Sequence, residues 1–132
     1  NSEIDEDYSK GLFISEIKSK CMGNPPRFDL TLLGLGDDGH TASLFPFKNN
    51  NKEDDFVIFS EGNGMRRLSL TPKILSESSK IIFLICGTSK HIALSRLIDD
   101  NENSERTPAK LITSKKKISV FCDLPSTKSL SI

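Results

Sequence analysis

Apolar residues along the chain alternate between helical spacing and short continuous runs. Between residues 6 and 20 they recur at the spacing of one helical face, which predicts a surface helix. Residues 80–87 (KIIFLICG) form a nearly unbroken apolar run, which is typical of a strand buried in a parallel sheet. The predicted elements are, in chain order, helix 6–20, strand 28–33, strand 56–59, strand 67–70, helix 72–78, strand 80–87, helix 89–98, a short helix from 107 and strand 117–124.

Proline and glycine mark where several of these elements begin and end. Asn24-Pro25-Pro26 would stop the first helix, and Gly62-Asn63-Gly64 is a strong turn signal after the second strand. Thr71-Pro72 is typical of an N-cap followed by the first residue of a helix. Strands that alternate with helices predict an α/β fold with a mostly parallel sheet, in which ligands bind at the carboxyl ends of the strands.

Composition limits the chain to one ordinary globular domain. It has 132 residues, of which 36% are hydrophobic and 27% charged, and these values exclude a membrane span and wholesale disorder. Eighteen basic residues balance eighteen acidic ones, so no large field of one sign draws the molecule to nucleic acid or to an anionic membrane. Any site for an anion must therefore be local.

The cysteines and histidines argue against a disulfide framework and against a zinc site. Cys21, Cys86 and Cys122 are odd in number and widely separated, and the last two lie in apolar runs, which predicts buried free thiols in a reducing compartment. The two histidines, His40 and His91, stand far apart. The acidic amino terminus lacks the pattern of a targeting signal, so we expect a cytoplasmic protein or the middle of a longer one.

The segment from Gly34 to His40 (GLGDDGH) is the sharpest candidate for chemistry. It follows the strand at 28–33, and its three glycines allow close approach of the backbone to a ligand, with N–H groups free to face an anion. The letters fit a dinucleotide fingerprint, but Pro46 leaves no room for the long helix that such a site requires. His40, two residues after Asp38, is either a general base oriented by that carboxylate or a histidine bonded only to its own loop, and the spacing does not decide between these.

A second candidate lies at Gly87-Thr88-Ser89-Lys90, between the 80–87 strand and the next helix. Free N–H groups at a helix start suit a phosphate, and Lys90 would add a full charge, although a merely solvated lysine explains the same pattern. Arg67, beside Arg66, offers a further cation next to a predicted strand, where paired arginines more often face solvent.

Residues 28–46, which include the loop from Gly34 to His40 and the following TASLFP, closely resemble the signature of 6-phosphogluconolactonases. The resemblance continues through 67–72, 84–90 and 107–109, so it spans nearly all of the chain. This family belongs to a Rossmann-like superfamily that also contains glucosamine-6-phosphate deaminases. The deaminases carry a glutamate five residues after the corresponding histidine, and this chain has Phe45 there.

The resemblance implies hydrolysis of 6-phospho-D-glucono-1,5-lactone to 6-phosphogluconate in the oxidative pentose phosphate pathway, without metal or organic cofactor. It implies that His40 is the general base for the attacking water, that Asp38 orients it and that Lys90 holds the phosphate. Gly36, Gly39 and Arg67 are the further residues expected to bind this small sugar-phosphate substrate. A non-catalytic sugar-phosphate-binding module and a deaminase are the alternatives.

The sequence departs from the family in two respects. Asp37 stands where many relatives have proline or glutamate, a change on a loop that we expect to be tolerated. Family members are also about twice as long, so the 132 residues are expected to be the carboxy-terminal portion of the domain, with an incomplete sheet. The missing amino-terminal half is the expected partner, in some members within a fusion to glucose-6-phosphate dehydrogenase, and unpaired sheet edges predict self-association.

Overall fold

The computed structural model describes residues 5–50 and 56–131, so the first four residues of the acidic amino terminus lie outside the described residues. It contains three α-helices and five strands in these ranges, in the order α1 Glu6–Lys20, β1 Thr31–Leu33, β2 Val57–Gly62, β3 Met65–Leu70, α2 Pro72–Ser76, β4 Ile81–Ile85, α3 His91–Ile98 and β5 Ser119–Cys122. Three 3₁₀ turns, at Thr88–Lys90, Pro108–Leu111 and Leu124–Thr127, connect them or follow them.

The strands form two separate sheets. β1, β4 and β5 are parallel in the order β1-β4-β5, with Leu33 opposite Phe83 and Ile85 opposite Cys122. β2 and β3 form an antiparallel hairpin that turns at Asn63, which has a positive φ of 53°. The predicted α/β fold class with a mostly parallel sheet is confirmed, and the predicted turn signal joins the strands of the hairpin.

The predicted start of α2 agrees with the structure, and the predicted start of α3 does not. Thr71 caps α2 as predicted, and its side chain accepts a hydrogen bond from the Ile74 N–H. The helix predicted over 89–98 begins instead as the 3₁₀ turn Thr88–Lys90, so that Lys90 is the N-cap residue of α3 rather than part of its first turn.

One face of the parallel sheet is covered and the other is open. Phe83 and Leu33 point into a buried cluster that also contains Ile74 and Leu94. On the opposite face Leu32, Leu84 and Phe121 are 56%, 49% and 59% exposed, and we call these three residues the open face. Parallel sheets are normally covered on both sides, so the sheet lacks one of its layers among the described residues.

The prediction that the cysteines are buried is wrong. Cys86 and Cys122 are exposed, and Cys21 is half-buried; all three are free thiols. Cys86 continues the alternation of Leu84 beyond the end of β4 and therefore lies on the side of the open face. Cys122 belongs to β5, an edge strand with little cover. The missing layer explains the exposure of Cys86 but not that of Cys122, which is in register with the buried Ile85 and is exposed because it lies on the edge strand.

Candidate functional site

A cavity of about 340 Å³ lies at the carboxyl end of β1. Its walls come from the loop after β1 and from the turn after β4, because adjacent parallel strands end at the same edge of the sheet. The lining residues are Gly34, Leu35, Gly36, His40, Thr41, Ala42 and Lys90. Both predicted centres of chemistry, His40 and Lys90, therefore face one space.

Hydrogen bonds within the loop hold its shape. The Gly36 N–H donates to the His40 carbonyl at 2.8 Å, and the Gly39 N–H donates to the Gly36 carbonyl at 2.9 Å. The Thr41 hydroxyl donates to the Gly34 carbonyl at 2.8 Å. The prediction that loop N–H groups are left free for an anion is therefore wrong for Gly36 and Gly39, because both donors are used to close the turn.

Gly36 and Gly39 matter for the space that they leave. A Cβ at residue 36 would lie 2.1 Å from His40 Nδ1 and 2.7 Å from Asp38 Oδ1, so the imidazole packs where any side chain would be. Gly39 has a φ of +92° and packs against Thr107, which a Cβ would approach to 3.0 Å. Only glycine suits either position.

Asp38 holds the imidazole of His40 from one side. Its Oδ1 accepts the His40 backbone N–H at 3.0 Å and lies 2.6 Å from His40 Nδ1. A proton on Nδ1 that is donated to this carboxylate leaves Nε2 as the free acceptor. The Phe45 ring lies 4.9 Å from the imidazole, centroid to centroid. With 28% of its side chain exposed, His40 is oriented and still accessible to solvent.

The second half of the site is a cation that already has an anionic partner. Lys90 Nζ lies 2.6 Å from Asp37 Oδ1, and the Ser89 hydroxyl donates to the same oxygen at 3.1 Å. The hydrogen bond from Lys90, aided by Ser89 and by the positive charge of Lys90, lowers the pKa of Asp37. The sequence predicts that Asp37 is a tolerated change on a loop, and its contact with the turn after β4 is not visible in the sequence.

A carboxylate from the segment after β5 binds the turn before α3. Both carboxylate oxygens of Asp123 accept the Gly87 N–H, at 3.1 and 3.0 Å, and this bond is the main reason that the pKa of Asp123 is lowered. Two of the N–H groups expected to face a phosphate are thus taken by the chain itself, because the Lys90 N–H also donates to the Gly87 carbonyl at 3.1 Å. Asp123 follows β5, so the clamp ties the edge strand to the turn that carries Lys90.

A network behind the loop supports Gly39. The Ala109 N–H donates to the Gly39 carbonyl at 3.1 Å, and the fully buried Thr107 donates its hydroxyl to Glu102 at 2.7 Å. Glu102 also accepts from Arg106 Nε at 2.7 Å, and the bond from Arg106 is the main cause that lowers the pKa of Glu102 to about 2. The sequence predicts a short helix from residue 107 and a family resemblance at 107–109, but nothing in it indicates a role for Glu102.

Arg67 does not line the cavity. Its strand alternation puts it on the same face of the hairpin as Ser69, whose hydroxyl accepts the Ser43 N–H from the loop after β1 at 3.1 Å. Arg67 Nε is buried and has no hydrogen-bond partner among the described residues. A contact between Arg67 and substrate remains a prediction.

Two further observations concern metal binding and membrane spans in the described part of the chain. Across residues 5–50 and 56–131, no three His, Cys, Asp or Glu side chains gather in a group that could hold a metal ion. None of the helices in these ranges is both long and apolar enough to cross a membrane.

Comparisons with known proteins agree on one group. Residues 3–121 match the family described as glucosamine-6-phosphate isomerases/6-phosphogluconolactonase. A 6-phosphogluconolactonase from Synechocystis is 38% identical over 91 residues, which cover 68% of this chain and 38% of that protein. The human 6-phosphogluconolactonase is 29% identical, and the match covers 98% of this chain and 50% of that protein. The chain spans half or less of the length of these curated relatives.

Solved structures show the same fold. The 6-phosphogluconolactonase of Trypanosoma brucei superimposes with a TM-score of 0.81 at 24% identity, over 99% of this chain and 56% of that one. A monomeric glucosamine-6-phosphate deaminase superimposes with a TM-score of 0.72 at 20% identity, over 95% of this chain and 55% of that one. Fold similarity alone therefore does not separate the two activities.

Proposed function

The chain belongs to the glucosamine-6-phosphate isomerase/6-phosphogluconolactonase family, and from this we propose that the protein containing it hydrolyses 6-phospho-D-glucono-1,5-lactone to 6-phosphogluconate, a step of the oxidative pentose phosphate pathway. The observation that carries the proposal is the pair formed by His40 and Asp38, 2.6 Å apart, in a cavity that Lys90 also lines. A base oriented by a carboxylate suits hydrolysis, and a lysine suits the phosphate.

In the proposed mechanism His40 is the general base. Nε2 takes a proton from water as the water oxygen bonds to the lactone carbonyl carbon, and Asp38 stabilises the resulting imidazolium through Nδ1. The tetrahedral intermediate then collapses, the bond from that carbon to the ring oxygen breaks, and the imidazolium returns the proton to that oxygen. A lactone is an activated ester, so one positioned base that contributes about 10²–10⁴-fold is sufficient without a covalent nucleophile.

The other proposed roles concern binding. Lys90 would hold the phosphate of the substrate, while Gly36 and Gly39 would let the substrate approach the backbone, since their N–H groups are already bonded. Arg67 is a further candidate to contact the substrate. Its Nε has no partner among the residues that the structure describes, and Arg67 lies on the face of the hairpin that packs against the loop after β1.

Phe45 favours the lactonase over the deaminase. It stands where the resemblance places the glutamate of the deaminases, it is only 5% exposed, and its ring packs against His40. A Cβ on Gly62 would lie 2.4 Å from this ring, so the hairpin also closes over it. A non-catalytic binding module remains the second alternative, and the orientation of His40 by Asp38 favours chemistry over binding alone.

We further propose that the open face is covered by the part of the polypeptide that this chain lacks relative to its relatives. Leu32, Leu84 and Phe121 together present the apolar surface that a second layer of helices would bury. On this proposal the 132 residues are the carboxy-terminal portion of a single domain, and self-association would occur only when that layer is absent. Fusion to glucose-6-phosphate dehydrogenase and a cytoplasmic location remain predictions.

A histidine comparison tests the activity. In the complete natural polypeptide, His40→Gln should lower kcat for lactone hydrolysis by about 10²–10⁴-fold after subtraction of the uncatalysed rate. His91→Gln is the matched control, because His91 bonds Ser129 and does not line the cavity, and it should retain wild-type turnover.

Three results would contradict the proposal. Unchanged turnover in His40→Gln would remove His40 from the mechanism. Binding of 6-phosphogluconate without any lactone hydrolysis would favour the module, and ammonia release from glucosamine 6-phosphate would favour the deaminase.

A further inference from the structure

Asp37 is the anionic partner of Lys90. Its Oδ1 lies 2.6 Å from Lys90 Nζ and accepts the Ser89 hydroxyl at 3.1 Å, so one carboxylate oxygen takes both donors. Lys90 lines the cavity together with His40, and only 26% of its side chain is exposed. An anion that reaches Lys90 from the cavity therefore meets a cation whose charge is already neutralised.

We propose that Asp37 is an internal competitor for the substrate phosphate: its carboxylate fills the anion site formed by Lys90 and Ser89, and a phosphoryl group must displace it to bind. This inference rests on the proposed function, because it takes Lys90 as the phosphate site. It adds a residue that sets the affinity and the selectivity of that site.

The exchange requires only a side-chain movement. The Asp37 side chain is 59% exposed, so its carboxylate can turn into water when Lys90 is taken by another anion. The hydrogen bonds that shape the loop are made by Gly36, Gly39 and His40. Rotation of Asp37 therefore leaves the loop and the pair formed by His40 and Asp38 in place.

The charge of a ligand determines whether it can displace Asp37 from Lys90. A phosphate monoester carries a charge of about −1.5 to −2 at pH 7 and three acceptor oxygens, whereas Asp37 offers one negative charge. A phosphoryl group can replace the bonds to Lys90 and Ser89 and add charge, while a singly charged anion gains nothing over Asp37. Asp37 thus prevents singly charged anions from binding to Lys90, and it also lowers the affinity of the site for a phosphorylated ligand.

Calorimetric titration of the complete natural polypeptide tests this directly. Asp37→Asn should bind 6-phosphogluconate and inorganic phosphate about two- to fivefold more tightly, the range expected for loss of a solvent-exposed ion pair that opposes binding. Gluconate, which lacks the phosphate, should bind Asp37→Asn and wild type equally. Asp29→Asn is the charge-matched control, because Asp29 is exposed ahead of β1, and it should leave all three affinities unchanged.

A second variant separates competition from other effects of Asp37. In a Lys90→Ala background, Asp37→Asn should no longer tighten phosphate binding, because the two residues act on the same charge. Equal or weaker phosphate binding by Asp37→Asn alone would overturn the proposal and show that Asp37 instead holds Lys90 ready for the ligand. A gain that persists without Lys90, or that appears equally for gluconate, would also overturn it. These readouts are affinities, so a protein that binds phosphate but hydrolyses no lactone would refute the proposed function and leave the competition test intact.

Discussion

Replacement of Gly36 by alanine should stop the chemistry while the fold persists. The new methyl group would lie 2.1 Å from His40 Nδ1, and ordinary van der Waals contact begins at 3.4 Å, so the imidazole has to move by more than about 1 Å. That movement breaks the 2.6 Å bond to Asp38 and takes Nε2 away from the water that it is proposed to activate. The backbone at Gly36 does not have a positive φ, so alanine adds no conformational strain of its own.

The expected loss follows from the geometry of general-base catalysis. A displacement of about 1 Å costs on the order of 10²-fold, and complete loss of the base costs up to about 10⁴-fold. We therefore expect kcat/KM for the lactone to fall by about 10²–10⁴-fold in Gly36→Ala of the complete polypeptide. Stability should change little, because the imidazole is half-buried and can turn towards solvent.

Three measurements check this prediction. Lactone hydrolysis gives kcat/KM, thermal unfolding gives the stability, and ¹⁵N shifts of the imidazole report whether Nδ1 still donates to Asp38. Gly11→Ala, on the exposed side of α1 with no atom within 4 Å of the new Cβ, is the matched control for a glycine-to-alanine change. Turnover within about threefold of wild type, with the His40 imidazole unmoved, would refute the account of why residue 36 is glycine.

Two further predictions concern the support of the site and the open face. Glu102→Gln should lower the free energy of unfolding by about 1 kcal/mol at neutral pH. The pKa of Glu102 is about 2 in the folded protein against an ordinary 4.5, so this difference in stability should be present above pH 4.5 and disappear as the pH falls towards 2. Denaturant titrations at several pH values measure it. A difference that does not depend on pH would contradict the role of the Glu102 charge. Leu84→Asp should destabilise the complete polypeptide by about 2–3 kcal/mol. Met22→Asp is the control, because Met22 is 89% exposed, and it should change the free energy of unfolding little. Equally small effects of both variants would show that nothing covers the open face.

The sequence predicted the layout of the fold because the strongest signals are local. The apolar run of 80–87 contains β4, the central strand, and Thr71-Pro72 lies at the start of α2. Both were predictable because a continuous apolar run and a helix cap each depend on only a few neighbouring residues. The cysteines show the limit of that reasoning. Their apolar neighbours predicted burial, but burial also depends on what covers each residue: Cys86 lies on the side of the open face, and Cys122 lies on an edge strand whose residues are mostly exposed.

The site was predictable only in part for a similar reason. His40 and Lys90 were found because each follows a strand, and parallel pairing of β1 with β4 brings their loops together. The contact of Asp37 with Lys90 and the clamp of Asp123 on Gly87 join residues far apart in the chain, and no spacing rule predicts such pairs. Free N–H groups in the glycine loop were expected, and those of Gly36 and Gly39 proved to be consumed by the loop itself.

The adjacency of β1 and β4 has a kinetic consequence. These neighbours are joined through the whole β2–β3 hairpin and α2, so their pairing is a non-local event, and such events form slowly during folding. His40 and Lys90 line one cavity only after that pairing. A ligand that contacts both loops would then link the ends of the two strands and slow their separation, so substrate availability would influence how long the assembled sheet persists.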